Sequence, residues 1–89
     1  MDRCTCKFGG RVQGVGFRYT VLNIAQGFDV TGYVQNLSDG RVQLVAEGNR
    51  DELYALVEQI KQRMEGFIEE VDAITSPATG EFVRFTIQH

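Results

Sequence analysis

The chain has 89 residues, of which 43% are hydrophobic and 24% are charged, and its formal net charge is −3. A chain of this length is long enough for one hydrophobic core, so we expect a single domain over residues 1–89. The composition is typical of globular proteins, which excludes a disordered or membrane-spanning chain. The acidic balance excludes a surface that coats nucleic acid through many phosphate contacts, and an anion would have to bind at a local site.

The amino-terminal residues lack the charged segment and apolar run of a secretory signal, so we expect a cytoplasmic protein. Apolar and polar residues alternate from Cys4 to Phe8, which predicts a strand. The Cα atoms of Cys4 and Cys6 would then lie about 6.5 to 7 Å apart, a poor fit to a disulfide. The only histidine, His89, is distant in sequence and leaves these thiols short of the four ligands of zinc. We therefore expect two reduced thiols and no metal.

Residues 9–16 contain four glycines, which predicts a loop after this strand. Apolar residues then recur at helical spacing over residues 17–26, which predicts a first helix. Gly27 followed by Phe28 predicts that a left-handed glycine ends this helix.

Alternation over residues 30–36 and 41–47 predicts two antiparallel strands joined by a turn at Asp39-Gly40. Asn49, with Glu52 three residues later, forms an N-cap signature for a second helix that ends near Gly66. Its apolar stripe consists of Leu53, Leu56, Val57, Ile60 and Met64.

The rest of the chain predicts a strand around residues 70–75, a turn over residues 76–80 and a final strand in which Val83, Phe85 and Ile87 face one way. The element order is β-α-β-β-α-β with one extra short C-terminal strand. This order predicts an α+β fold, a ferredoxin-like two-layer sandwich with both helices on one face of a mainly antiparallel sheet.

The glycine-rich segment between the first strand and the first helix carries the candidate chemistry. Backbone N–H groups at a helix N-terminus lack internal partners and lie at the positive end of the helix dipole. Gly14 and Gly16 can adopt positive φ, which lets N–H groups from about Val15 to Arg18 converge on one phosphoryl group. The Arg18 guanidinium would add charge and two parallel hydrogen bonds. The glycines alone also fit a tight connection that binds nothing.

Other glycine-rich motifs fit this segment poorly. It lacks the Gly-Lys-Ser/Thr ending of a Walker A loop, and Tyr19 stands where a dinucleotide-binding fingerprint requires glycine.

Two motifs are similar to the signatures of the acylphosphatase family, and the resemblance covers nearly all of residues 4–88. The motifs are Gly10-Arg11-Val12-Gln13-Gly14-Val15-Gly16-Phe17-Arg18 and Gly32-Tyr33-Val34-Gln35-Asn36, the second followed by Asp39-Gly40-Arg41-Val42. The resemblance implies a monomer that hydrolyses acyl phosphates to a carboxylate and inorganic phosphate without cofactor or metal. It also implies that Arg18 binds the phosphate and Asn36 positions the attacking water. The predicted phosphate-binding residues are Gln13, Gly14, Val15, Gly16, Phe17 and Arg18.

The chemistry of acyl phosphates is consistent with these roles. The leaving carboxylate has a conjugate acid with a pKa near 4, so it needs no general acid. Positioning and charge stabilisation do most of the work of phosphoryl transfer, and Arg18 with convergent N–H groups supplies both. The neutral amide of Asn36 can orient water without bringing a second negative charge to the phosphate. Without the resemblance, Asn36 is interpreted as a turn residue.

Three alternatives remain. Carbamoyl phosphate hydrolysis would use the same site. The form of the motif with glycine at position 16 resembles that of the acylphosphatase-like domain of hydrogenase maturation proteins, which handle carbamoyl phosphate. A non-catalytic anion-binding domain would keep the scaffold without turnover. An RNA-recognition module shares the element order, but residues 41–47 contain no stacking aromatic side chain, so we expect no nucleic-acid partner.

Overall fold

The computed structural model describes residues 1–89 as five strands and two helices in the predicted order. The elements are β1 (Asp2–Gly10), α1 (Phe17–Ala25), β2 (Val30–Asn36), β3 (Val42–Gly48), α2 (Arg50–Arg63), β4 (Ile68–Pro77) and β5 (Phe85–Gln88). No helix is long and apolar enough to cross a membrane.

The five strands form one sheet in the order β4-β1-β3-β2-β5. The pairs β1–β3, β1–β4 and β2–β3 are antiparallel, and β5 joins the edge of the sheet parallel to β2. Helix α1 packs on β2 and β5, and α2 packs on β1 and β3. The predicted ferredoxin-like α+β sandwich is therefore confirmed, with a single parallel pair in a mainly antiparallel sheet.

One hydrophobic core lies between the helices and the sheet. Phe8 of β1 and Phe17 of α1 are both buried, and their ring centroids are 5.2 Å apart. Cys4 and Cys6 are free and buried on the same face of β1. Burial raises the pKa of the Cys6 thiol to about 12, so this thiol stays protonated at neutral pH.

The end of α1 differs from the prediction, because Gly27 does not adopt positive φ. The N–H of Gly27 donates to the carbonyl of Ile24 at 3.0 Å, and the N–H of Phe28 donates to that of Ala25 at 3.0 Å. The helix therefore ends by tightening into i→i+3 hydrogen bonds, which need no left-handed glycine.

The start of α2 agrees with the predicted N-cap position, but no side chain caps the helix. Asn49 is the N-cap residue, but its side chain makes no capping hydrogen bond. The Glu52 carboxylate accepts a hydrogen bond of 2.8 Å from the backbone N–H of Asp29 instead. Glu52 thus ties α2 to the connection between α1 and β2. Within the predicted stripe, Val57 is half-buried and the other four residues are buried.

Strand pairing corrects three further predictions. Gly9 and Gly10, predicted as loop, belong to β1 and pair with Glu70 and Ile68 of β4, with an irregularity between them. Residues 76 and 77, predicted as a turn, end β4. Val83, predicted in the last strand, precedes β5 and is 92% exposed. Sheet partners distant in sequence stabilise the first two of these ends against their local turn propensity. Val83 lies outside the sheet because the pairing of β5 with β2 begins only at Phe85.

The connection between β4 and β5 crosses the sheet, since these strands lie at opposite edges. We call residues 78–84 the strap. The Phe82 ring packs edge-on against Tyr33 at 5.8 Å, and the guanidinium of Arg3 lies 5.2 Å from the Phe82 ring centroid. The buried carboxylate of Glu47 accepts hydrogen bonds from the backbone N–H groups of Thr79 and Gly80, both at 2.9 Å. The strap is thereby held on the sheet and delivers β5 to the edge of β2.

Candidate active site

The segment between β1 and α1, residues 11–16, is called the glycine loop below. Gly14 and Gly16 adopt left-handed conformations with φ of 78° and 77°. A Cβ at either position would meet no atom within 4 Å, so the backbone conformation rather than crowding calls for glycine there. Gly16 is also the N-cap of α1. The loop thus turns the chain directly into the first turn of the helix.

The backbone N–H groups from Gln13 to Arg18 donate to no acceptor within the protein. Helix α1 has no side-chain cap and no acidic residue in its first turn, whereas α2 carries Asp51 and Glu52 in its own. Carboxylates at a helix N-terminus compensate the positive end of the dipole. The N-terminus of α1 therefore retains its attraction for an external anion.

Arg18 lies in the first turn of α1 and is half-exposed. Its Nη1 atom is 3.3 Å from Nδ1 of His89, and it forms no salt bridge. Arg3, Arg41 and Arg50, in contrast, are each paired with a carboxylate. The side chain of Arg18 thus brings an uncompensated positive charge to the first turn of α1.

Asn36 is the last residue of β2 and lies on the face of the sheet that carries Val34 and packs against the helices. Its Oδ1 atom is buried and accepts no hydrogen bond. An unsatisfied buried acceptor costs about 1 to 3 kcal/mol. The amide of Asn36 therefore has hydrogen-bonding capacity that the protein itself does not use.

The other predicted phosphate-binding residues present different groups. The Phe17 side chain is buried in the core, so only its N–H can reach a ligand, whereas Val15 is 40% exposed. The side chain of Gln13 contacts the turn after β2. Its Nε2 atom donates to the carbonyl oxygens of Leu37 at 2.8 Å and Arg41 at 3.0 Å. The turn between β2 and β3 is thereby joined to the glycine loop.

Sequence reasoning missed two contacts at this site, the one between Gln13 and that turn and the one between Arg18 and His89. Both connect residues more than 20 positions apart. No local pattern signals either contact, because each depends on how the sheet is assembled.

None of the cavities of the protein includes the glycine loop. The largest, of about 590 Å³, lies between α2 and β4, and the others lie on α2 and beside β5. The candidate site is therefore an open surface formed by main-chain donors, one guanidinium and one amide.

Comparisons with known proteins identify relatives over almost the whole chain. The acylphosphatase family model matches residues 4–87. An acylphosphatase from Paenarthrobacter aurescens is 43% identical over 86 residues, which cover 96% of this chain and 92% of the relative. The crystal structure of acylphosphatase from Bacillus subtilis has a TM-score of 0.92 at 34% identity, with 100% of each chain covered. Full-length HypF, in a phosphate- and nucleotide-bound form, has a TM-score of 0.87 at 30% identity over 100% of this chain but 12% of its own.

Proposed function

We infer that this chain, which belongs to the acylphosphatase family, hydrolyses acyl phosphates to a carboxylate and inorganic phosphate. One observation supports this activity most strongly. The N–H groups from Gln13 to Arg18 are free at an uncapped helix N-terminus, and the first turn of that helix carries Arg18, whose guanidinium no carboxylate neutralises.

The glycine loop is proposed to bind the phosphoryl group. Its N–H groups and the dipole of α1 offer a preformed set of donors to the phosphoryl oxygens. The Arg18 guanidinium carries a permanent charge and can bind two of these oxygens at once. Because charge spreads over these oxygens in the transition state, the same donors stabilise it without a metal or other cofactor.

Asn36 is proposed to orient the attacking water through its side-chain amide, whose Oδ1 atom accepts no hydrogen bond within the protein. The water oxygen forms the new bond to phosphorus while the bond from phosphorus to the acyl oxygen breaks. The carboxylate departs with the electron pair and needs no proton, since its conjugate acid has a pKa near 4. The protons of the attacking water pass to the product phosphate and to solvent.

The range of acyl groups is proposed to be broad, because no cavity encloses the space beside the loop. The site is built around the phosphoryl group, which every substrate of this class shares. Carbamoyl phosphate is the second candidate substrate, since its acyl group is small and needs no binding pocket of its own.

We propose that residues 1–89 act as one domain and as a monomer, because Arg18, Asn36 and the glycine loop all belong to one chain. The proposed location is the cytoplasm, with which a chain that has two free thiols and no disulfide is consistent. The expected partners are the small-molecule acyl phosphate and inorganic phosphate, and no nucleic acid.

The proposal is tested by hydrolysis of benzoyl phosphate and of carbamoyl phosphate in excess EDTA. We expect turnover of benzoyl phosphate that EDTA leaves unchanged and that inorganic phosphate inhibits competitively. Turnover of carbamoyl phosphate alone would favour the second candidate. A folded protein that binds phosphate but hydrolyses neither compound would be a non-catalytic anion-binding domain.

A further inference from the structure

We propose that the side chain of Gln13 is a positioning group, which holds the glycine loop at a fixed place relative to Asn36. The proposal rests on the proposed function above and assigns the Gln13 side chain a part in the rate of hydrolysis rather than in phosphate binding. It starts from the two hydrogen bonds that Gln13 donates to the turn after β2.

The first half of the glycine loop is fixed by other means. The N–H of Arg11 donates to the carbonyl of Phe67 at 2.9 Å, and the side chain of Val12 is 1% exposed. Residues 13–16 are all exposed, and their only hydrogen bonds to another strand or turn are those of the Gln13 amide. The part of the loop with the free N–H groups therefore depends on Gln13 for its connection to the sheet.

The acceptors of Gln13 belong to a turn that is braced internally. The N–H of Leu37 donates to the carbonyl of Arg41 at 2.8 Å, and the Asp39 carboxylate accepts from the N–H and the Nε atom of Arg41. Leu37 directly follows Asn36 in the chain. A loop held to Leu37 and Arg41 is therefore held relative to the residue proposed to orient the attacking water.

The chemistry of the amide separates positioning from phosphate binding. A glutamine NH₂ group has two hydrogens, and the two carbonyl oxygens of Leu37 and Arg41 take up both. The remaining Oε1 atom is an acceptor and would repel a phosphate dianion. The contribution of Gln13 to the bound phosphate is therefore limited to its backbone N–H.

A double-mutant cycle with Asn36 tests this role. The variants are Gln13→Ala, Asn36→Ala and the combination, assayed with a synthetic aromatic acyl phosphate. We expect Gln13→Ala to lower kcat about 10- to 100-fold, since a small misplacement of reacting groups costs that much. Competitive inhibition by inorganic phosphate should change less than about threefold. In the Asn36→Ala background, Gln13→Ala should lower kcat less than about twofold, because no oriented water remains to be misplaced.

Two further variants control for charge, shape and folding. Gln13→Glu keeps the shape of the side chain but cannot donate to carbonyl oxygens, so it should lose at least as much kcat as Gln13→Ala. Gln62→Ala removes an exposed glutamine of α2 and should leave kcat unchanged. Thermal unfolding of each variant establishes that it is folded at the assay temperature.

Three results would overturn the inference while wild type remains active. These are an unchanged kcat in Gln13→Ala, a loss of phosphate inhibition as large as the loss of kcat, and a full additional loss in the Asn36→Ala background. Absence of turnover in wild type is a different result, because it would overturn the proposed function itself.

Discussion

Asn36 combines a cost to folding with a proposed part in the reaction. Its Oδ1 atom is buried and accepts no hydrogen bond, an arrangement that folded proteins rarely retain without a use. Asn36→Ala should therefore lower kcat about 100-fold and leave inhibition by inorganic phosphate within about twofold of wild type. Its thermal midpoint should not fall, because the substitution removes an unsatisfied acceptor. Collapse of phosphate affinity with an unchanged rate would mean that Asn36 binds phosphate instead.

Gly16 tests the left-handed backbone at the start of α1. With φ of 77° and open space at the Cβ position, Gly16→Ala should cost about 1 kcal/mol of folding free energy through backbone strain alone. It should also weaken phosphate inhibition, since the N–H groups of the loop would shift. Gly27→Ala is the matched control, because Gly27 does not adopt positive φ. Urea unfolding measures both variants, and equal stability losses would contradict the assignment.

Sequence patterns predicted those features of the site that depend only on neighbouring residues in the chain. The positive φ at Gly14 and Gly16 and the free N–H groups of the loop agree with the observed geometry. The hydrogen bonds of Gln13 and Glu47 could not be predicted, because their partners are contributed by turns and strands distant in sequence. The catalytic roles of Arg18 and Asn36 remain predictions from the family resemblance.

At the scale of elements, the strap depends on Glu47. The carboxylate accepts hydrogen bonds from two backbone N–H groups, from the Thr79 hydroxyl and from Nε of Arg3. Glu47→Gln would set an NH₂ group against some of these donors, and we expect a loss of about 1 to 3 kcal/mol in urea unfolding. Glu81→Gln is the matched control, since Glu81 also pairs with Arg3 but is 56% exposed, and it should cost little. Equal losses would mean that the surface pair, not Glu47, holds the strap.

The ionisation of Glu47 should make the free energy of unfolding depend on pH. Burial raises the pKa of Glu47, but the hydrogen bonds from Thr79, Arg3 and Gly80 outweigh it and lower the pKa to about 2 from the usual 4.5. A depressed folded-state pKa gives stability that is present above pH 4.5 and is lost as pH falls towards 2. The stability difference between wild type and Glu47→Gln should therefore shrink over this window. A constant difference from pH 5 to pH 2 would contradict the depressed pKa.

Local patterns predicted the order of the elements better than the residues at which the elements begin and end. Alternation and helical spacing identified all seven elements in the right order. Two of the errors lie where a distant partner decides the end, at the pairing of Gly9 and Gly10 with β4 and at the hydrogen bond that the N–H of Asp29 donates to Glu52. The error at Gly27 is local, because α1 ends in i→i+3 hydrogen bonds instead of a left-handed residue. Distant partners are specified by the assembled sheet, which periodicity alone does not describe.

At the scale of the whole molecule, the distribution of charge matters more than its sum. The net charge is −3, yet the proposed substrate is an anion. Arg3, Arg41 and Arg50 are neutralised by carboxylates, whereas Arg18 is left unpaired at the N-terminus of α1. An unpaired guanidinium at a helix N-terminus gives this acidic protein a local attraction for phosphate. Long-range attraction of the substrate should be weak, since it would oppose the net charge.

Substitution of Arg18 therefore tests the proposed hydrolysis most directly. We would measure kcat/KM for benzoyl phosphate in excess EDTA for wild type, Arg18→Ala and the control Arg63→Ala, which removes an exposed arginine of α2. We predict metal-independent turnover in wild type and in the control, and a loss of about 1000-fold in kcat/KM in Arg18→Ala with an unchanged fold. An Arg18→Ala variant that retained more than about a tenth of wild-type kcat/KM would contradict the central place given to this guanidinium.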